Sequence, residues 1–138
     1  MYLNRHIFVW TPERKALKIT GLKNEIKTDK VKYIIEEALY WRKVNSIHNW
    51  FVENVQDGVD ECQEVDVDTD KLKELLETIK KVLADHSLAK ELLPTGERFF
   101  FGSTDYDEWY WKDLENTVKP LEECIADERG WYQYSSSW

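Results

Sequence analysis

Polar side chains that can bind a ligand or act on it lie close together in the segment YWRKVNSIHNW, residues 40–50. Arg42 offers a guanidinium fork for phosphate or carboxylate, and Asn45 and Asn49 each offer a donor and an acceptor for a base edge. Residues three and four apart share one face of a helix, so these three side chains would form a line. Trp41 and His48 would lie on the flank of this line, and the rings of Trp41 and Tyr40 could supply a stacking plane.

The element expected to carry this line is a long helix that begins at Thr28 or Asp29 and ends near Gln56, before Asp57-Gly58. Its first half places its aliphatic residues on one side, and the polar line continues that same side. The apolar residues of the second half lie almost opposite. The apolar face therefore changes sides near residue 41, as in a helix whose two halves pack on different neighbours.

Three interpretations of the polar line stay open. Its side chains face water, or they form a buried network in which Arg42 pairs with Glu53 or with an acid of another helix, or they line a ligand pocket. His48 could also act as a general base if a carboxylate such as Glu53 orients it. A single histidine on a helix is more often structural, so we predict binding without turnover, and the catalytic alternative rests on His48.

A second wall for such a pocket is expected at Phe101-Gly102-Ser103-Thr104, which precedes the last helix. Acids in the first turn argue against phosphate at that helix end. The polar groups of this segment could instead hydrogen-bond a ribose or a cation. The candidate residues of this wall are Ser103, Asp105 and Tyr106. The run Asp66 to Asp70 with Glu77 resembles a calcium loop, but Lys71 replaces the required glycine, so we predict no metal and no cofactor.

The remaining elements complete a mainly α, single-domain protein of residues 1–138, with a basic arm of strand and loop at 1–27 and a helical core with an aromatic tail at 28–138. Strand 3–10 leads into a loop that includes a short strand at 18–20. One helix follows residues 68–69, a short helix covers 87–93, and a last long helix runs from 102–104 to Gly130 with Pro120 inside it. The fold class is thus a bundle of three long helices plus one short helix, with minor β pairing of the N- and C-terminal segments. The residues of the second long helix that form its apolar stripe are Leu72, Leu75, Leu76, Ile79, Val82 and Leu83.

The charge is distributed unevenly along the 138 residues. The formal net charge is −8, but residues 1–32 carry eight Lys/Arg against three acids, a net of +5, which leaves −13 for the rest. Residues 53–70 hold eight acids and no Lys or Arg. A broad basic face is therefore unexpected, and we predict no direct contact with nucleic acid. The acidic region instead suits a basic partner protein.

Hydropathy indicates a cytosolic protein. No apolar run approaches the ~20 residues that span a bilayer, and MYLNRHIFVW lacks the apolar core of a signal peptide. Cys62 and Cys124 are expected to be reduced thiols. Aromatic residues make up 14% of the chain, an excess that leaves room for a buried interface in a homo-oligomer.

Three segments resemble a group of small bacteriophage accessory proteins that have no established family function. These segments are YIIEEALYWRKVNSIHNWFVENVQDGVDEC, FFFGSTDYDEWYWKDL and WYQYSSSW. The resemblance covers most of the chain from Tyr33 onward and brings no catalytic residues with it. It implies an accessory protein acting in the host cytoplasm, and by analogy one that counters host defences.

Together these observations predict a protein that binds a small polar, nucleotide-like ligand. The alternative is an acidic inhibitor that binds a basic host defence protein. Its surface would be residues 53–70 and the start of the last helix, including Asp60, Glu61 and Glu64.

Overall fold

A computed structural model of the protein describes residues 1–22, 25–97 and 102–137. Its strands and helices are β1 (Tyr2–Phe8), α1 (Thr11–Arg14), β2 (Tyr33–Tyr40), α2 (Asn45–Asn54), β3 (Val65–Val67), α3 (Thr69–Ala84), α4 (Ala89–Leu92), α5 (Glu108–Ala126) and β4 (Trp131–Ser135). Single 3₁₀ turns cover Thr28–Lys30 and His86–Leu88.

The four strands form one antiparallel sheet in the order β2-β1-β4-β3. Leu3 in β1 lies opposite Leu39 in β2 and Tyr134 in β4, and these three side chains are buried on the inner face. The sequence predicted that the two chain ends pair, and they do. It treated this pairing as a minor addition to a helical bundle, which was wrong, since β1 and β4 are the two central strands.

The helix predicted over residues 28–56 is replaced by a strand and a shorter helix, so the bundle of three long helices is also wrong. Tyr33–Tyr40 pairs with β1, which suits its tyrosine and isoleucine side chains. The chain then turns at Lys43, whose φ of 58° is incompatible with a continuous helix, and α2 begins at Asn45. The change of the apolar side near residue 41 is therefore a change from strand to helix.

Other boundaries differ by a few residues. The last helix begins at Glu108, and its N-cap is Asp107, whose carboxylate accepts a hydrogen bond from the Tyr110 N–H at 3.2 Å. The predicted start at 102–104 is therefore wrong. The helix continues through Pro120 and ends at Ala126, before the predicted end at Gly130. Residues 18–20 do not form a strand, and Phe101 of the predicted second wall lies outside the described residues.

The long helices α3 and α5 pack against each other and share one core with the inner face of the sheet. The predicted stripe of α3 is confirmed: Leu72, Leu75, Ile79 and Val82 are buried, while Leu76 and Leu83 are partly buried against the same core. Burial of each such leucine stabilises the fold by about 1.5–3 kcal/mol. The core therefore covers the inner face of the sheet with helices and positions the start of α5 near the connection between β2 and α2.

The outer face of the sheet differs from the inner face because large side chains on it are exposed. Tyr33, Ile35 and Trp131 lie on this face and are 47%, 61% and 41% exposed. No helix among the described residues is long and apolar enough to cross a membrane.

Candidate functional site

The residues of the predicted polar line are divided between the core and the surface. Trp41, directly after β2, is buried, and its indole N–H donates to the Thr117 hydroxyl of α5 at 2.9 Å. Arg42, the next residue, is exposed. The two residues do not share a helical face, because both precede α2.

Asn45 and Asn49 of α2 hold the chain that follows α4. The Asn45 amide donates to the Gly96 carbonyl at 2.9 Å and accepts from the Gly96 N–H at 2.5 Å. The Asn49 amide donates to the Pro94 carbonyl at 3.2 Å. Asn45 is 3% exposed, and a buried polar group without a hydrogen bond would destabilise the fold. The two bonds between Asn45 and Gly96 therefore satisfy polar groups on both residues. These contacts fix residues 94–96 against the start of α2.

His48 lies fully enclosed in the core. Its Nδ1 is 2.7 Å from the Tyr134 hydroxyl, and its Nε2 is 2.9 Å from a carboxylate oxygen of Asp60. The Tyr134 ring stacks on Phe51 with centroids 3.9 Å apart. Burial, and secondarily the charge of Asp60, raises the pKa of the Tyr134 hydroxyl. This His48 network links α2, the acidic connection and β4.

An open cleft of about 410 Å³ lies beside this network, within the range of small-molecule sites. Its first wall is the connection from β2 into α2, which supplies Arg42, Lys43 and Asn45. Its second wall is the chain before α5. The residues that this chain and the start of α5 contribute are Gly102, Ser103, Asp105, Asp107, Trp109, Tyr110 and Asp113.

Glycine at position 102 allows the two walls to approach. Its φ is +73°, and a Cβ built on it would overlap the Lys43 carbonyl oxygen. The chain nearby is tied down by two tyrosines. The Tyr106 hydroxyl accepts from the Thr95 N–H at 3.2 Å, and the Tyr110 hydroxyl donates to the Leu93 carbonyl at 2.7 Å.

Charges of both signs line the cleft. Arg42 and Lys43 are exposed, and neither makes an ion pair with any residue that the structure describes. Asp105, Asp107 and Asp113 line the same cleft from the second wall and α5. Burial, and then the nearby charge of Asp107, raises the pKa of the Asp113 carboxyl.

The structure brings four of the predicted site residues into this cleft, two from each wall: Arg42, Asn45, Ser103 and Asp105. Tyr40 and Trp41 border an adjoining cavity of about 170 Å³ that shares Arg42 with the cleft. Tyr106 lies behind the second wall, and His48 and Asn49 do not line the cleft.

Sequence reasoning missed Lys43, Asp107, Trp109, Tyr110 and Asp113 as lining residues. Part of the signal was present, because Trp109 and Asp113 are four residues apart and share a helical face. No lining residue was predicted on that face, since nothing in the sequence placed residues 42–45 beside it.

The acidic connection between α2 and β3 is divided between the surface and the core. Glu61 and Glu64 are exposed, whereas Asp60 is held by His48. Among the described residues, no three histidine, cysteine or acidic side chains are grouped so that they could hold a metal ion.

Comparison with known proteins finds no matching family model, no similar curated protein and no similar solved structure. The bacteriophage context and the host-cytoplasm location therefore stay predictions, and the function is inferred from the geometry of the cleft.

Proposed function

We propose that the cleft between the β2–α2 connection and the start of α5 binds a small polar, nucleotide-like ligand without chemical turnover. The observation that carries this proposal is that two cations, Arg42 and Lys43, share one cleft of about 410 Å³ with acids and an exposed tryptophan. Neither cation forms an ion pair with a described residue. Such a mixed lining suits a ligand with an anionic group at one end and hydroxyl or amino groups at the other.

Each side chain has a natural partner on such a ligand. The Arg42 guanidinium would donate two parallel hydrogen bonds to a phosphate, and Lys43 would add a second positive charge. Asp105 and Asp107 would accept from sugar hydroxyls or an exocyclic amine. Trp109, which is 68% exposed, would offer its ring to a base.

The position of the only histidine in the predicted line favours binding without turnover. His48 lies in the core, with both ring nitrogens within hydrogen-bond distance of protein groups, and is therefore not directed at a ligand in the cleft. No histidine or cysteine is among the described residues that line the cleft. Binding is accordingly the function that these side chains support best.

Thermal unfolding with and without ligand tests the proposal. A panel of nucleoside 5′-monophosphates and inorganic phosphate should include one compound that raises the Tm of the wild type by several degrees, since a ligand at 100 times its Kd stabilises by about 2.7 kcal/mol. Arg42→Ala should abolish that rise without lowering the Tm of the free protein, because Arg42 is exposed.

Lys119→Ala is the matched control, since it removes an exposed cation of α5 that does not line the cleft. It should keep the ligand-induced rise. The proposal fails if no compound shifts the wild-type Tm, or if Arg42→Ala responds as the wild type does.

A further inference from the structure

The outer face of the sheet carries a continuous row of rings. Trp131 of β4 stacks on His6 of β1, with centroids 5.3 Å apart. Tyr33 of β2 contacts Trp131 edge-on at 6.0 Å and Phe8 at 5.4 Å, and Phe8 contacts Trp10 at 5.1 Å. We call these five residues the aromatic face, and they are distinct from the cleft.

This aromatic face is open. Trp10, Tyr33 and Trp131 are 66%, 47% and 41% exposed, and Ile35 beside them is 61% exposed. A cavity of about 460 Å³ opens between Phe8, Trp10 and Trp131. Aromatic patches this continuous are rarely left in water without a binding role.

Cations border the aromatic face. Arg14 lies over the Phe8 ring at 6.0 Å, and Lys32 lies over the Tyr33 ring at 5.3 Å. Arg129 and Glu13 also line the cavity, but the Arg129 guanidinium is paired with the Asp127 carboxylate at 3.2 Å, so Arg14 and Lys32 are the cations that carry the argument. Arg14 and Lys32 belong to the segment with the net charge of +5.

The acids of the outer face lie elsewhere. Glu37 and Asp66 sit in the next row along the strands, on the side away from Phe8. The acidic segment 53–70 enters the sheet only at β3, the edge opposite β2. The net charge of −8 therefore does not describe the field at the aromatic face. The prediction of no direct nucleic-acid contact concerned a broad basic face, whereas this face combines exposed rings with a few bordering cations.

We propose that the aromatic face binds single-stranded nucleic acid. Unpaired bases stack on exposed rings, and cations that border the rings neutralise the phosphates. Here the rings are Trp10, Tyr33 and Trp131, and the cations are Arg14 and Lys32. A second copy of the chain fits this face less well than a nucleic acid does, because the cations that border the two aromatic faces would repel each other.

Fluorescence anisotropy with labelled oligothymidylate at low salt tests this proposal. The wild type should bind the single strand saturably and the matching duplex much more weakly, because duplex bases are not free to stack. Trp10→Ala should weaken binding roughly 5- to 150-fold, the loss expected for one base stack. Trp109→Ala separates the two sites, because Trp109 is 68% exposed but lies on α5 by the cleft: this variant should bind the strand as the wild type does if the strand lies on the aromatic face. Val59→Ala is the control, because this side chain is 47% exposed and lines neither the cleft nor the cavity of the aromatic face.

The salt dependence separates stacking from charge. Each phosphate contact on a single strand contributes about 0.7 to the slope of log K against log salt. Lys32→Ala should reduce the slope by about 0.7, whereas Trp10→Ala should weaken binding and leave the slope unchanged. Circular dichroism should show both variants folded, since both side chains are exposed.

Three results would overturn the proposal. The first is no anisotropy change at low salt. The second is an equal loss of binding in Trp109→Ala, which would place the strand in the cleft. The third is a dimer in sedimentation equilibrium that Trp10→Ala and Tyr33→Ala disperse, which would show that a second copy covers the face.

Discussion

At the scale of single residues, polar side chains that are close together in the sequence have different roles. His48 and Asn45 are buried and bonded to groups far along the chain, whereas Arg42 is exposed at the rim of the cleft. A buried polar group that loses its partner costs more than the bond itself is worth, because the remaining group stays desolvated. The His48 network therefore contributes to stability, and the cleft residues contribute to binding.

The Tyr134 hydroxyl offers a direct test of the His48 network. Tyr134→Phe removes the group 2.7 Å from His48 Nδ1 while keeping the ring that stacks on Phe51. The free energy of unfolding should fall by about 1–3 kcal/mol, as measured by urea denaturation.

Tyr40→Phe is the matched control, because Tyr40 is 51% exposed. It should change the free energy of unfolding by less than about 0.5 kcal/mol. If Tyr134→Phe lowered the free energy of unfolding as little as Tyr40→Phe does, the buried hydroxyl would contribute nothing to stability.

At the scale of elements, short turns decide where strands and helices begin. Lys43 separates β2 from α2, and Gly130, with φ of +78°, leads α5 into β4. A Cβ built on Gly130 would overlap the His6 carbonyl of the neighbouring strand β1. The turn before β4 thus requires glycine at position 130 for two reasons: the positive φ angle and the close approach of β1.

Gly130→Ala should consequently destabilise the protein more than the same change at Gly21. Both glycines have a positive φ, which costs alanine about 1–2 kcal/mol, but nothing lies within 4 Å of a Cβ at Gly21. Gly130→Ala must also displace β1 or β4. Thermal unfolding followed by circular dichroism should show a clearly larger loss of Tm for Gly130→Ala, and similar losses would contradict the close approach.

At the scale of the whole molecule, charge and burial are segregated. The inner face of the sheet is covered by α3 and α5, the outer face keeps large rings exposed, and the acidic segment 53–70 reaches the sheet at the β3 edge. The buried side also holds three tyrosine hydroxyls whose pKa values are raised by burial, those of Tyr110, Tyr132 and Tyr134.

These tyrosines predict that stability decreases at alkaline pH. Burial, and secondarily the nearby Cys124, raises the pKa of Tyr132 to about 12, against the ordinary 10. Between these pH values the folded protein holds a proton that the unfolded chain releases, so the free energy of unfolding falls as pH rises and is unaffected below about pH 9. Urea denaturation from pH 8 to about pH 11.5 measures this slope.

Tyr132→Phe should make the alkaline slope shallower, because the variant lacks one of the protons released on unfolding. If the free energy of unfolding did not change over this pH range, or if Tyr132→Phe had the wild-type slope, the linkage would be refuted.

Part of this protein was predictable from local patterns. The stripe of α3 and the pairing of the aromatic tail with the N-terminal strand were predictable because they depend on residue types repeated over short distances. Residues 33–40 were misassigned because Ile34, Ile35 and Ala38 fit helical spacing as well as a strand with a bulge. Four residues of the cleft were named in advance. The sequence did not predict why they lie together, because the bounds of both helices expected to carry them were wrong.

By itself, the sequence determined the apolar stripe of α3, the segregation of charge along the chain and the chemical types available at residues 40–50 and 102–106. Only the tertiary structure decided that residues 33–40 are a strand, that Asn45 and His48 are enclosed, and that Arg42 and Asp105 line one cleft. The physical reason is that burial of a polar side chain depends on its partners. Those of Asn45 and His48, Gly96 and Tyr134, are 51 and 86 residues away along the chain.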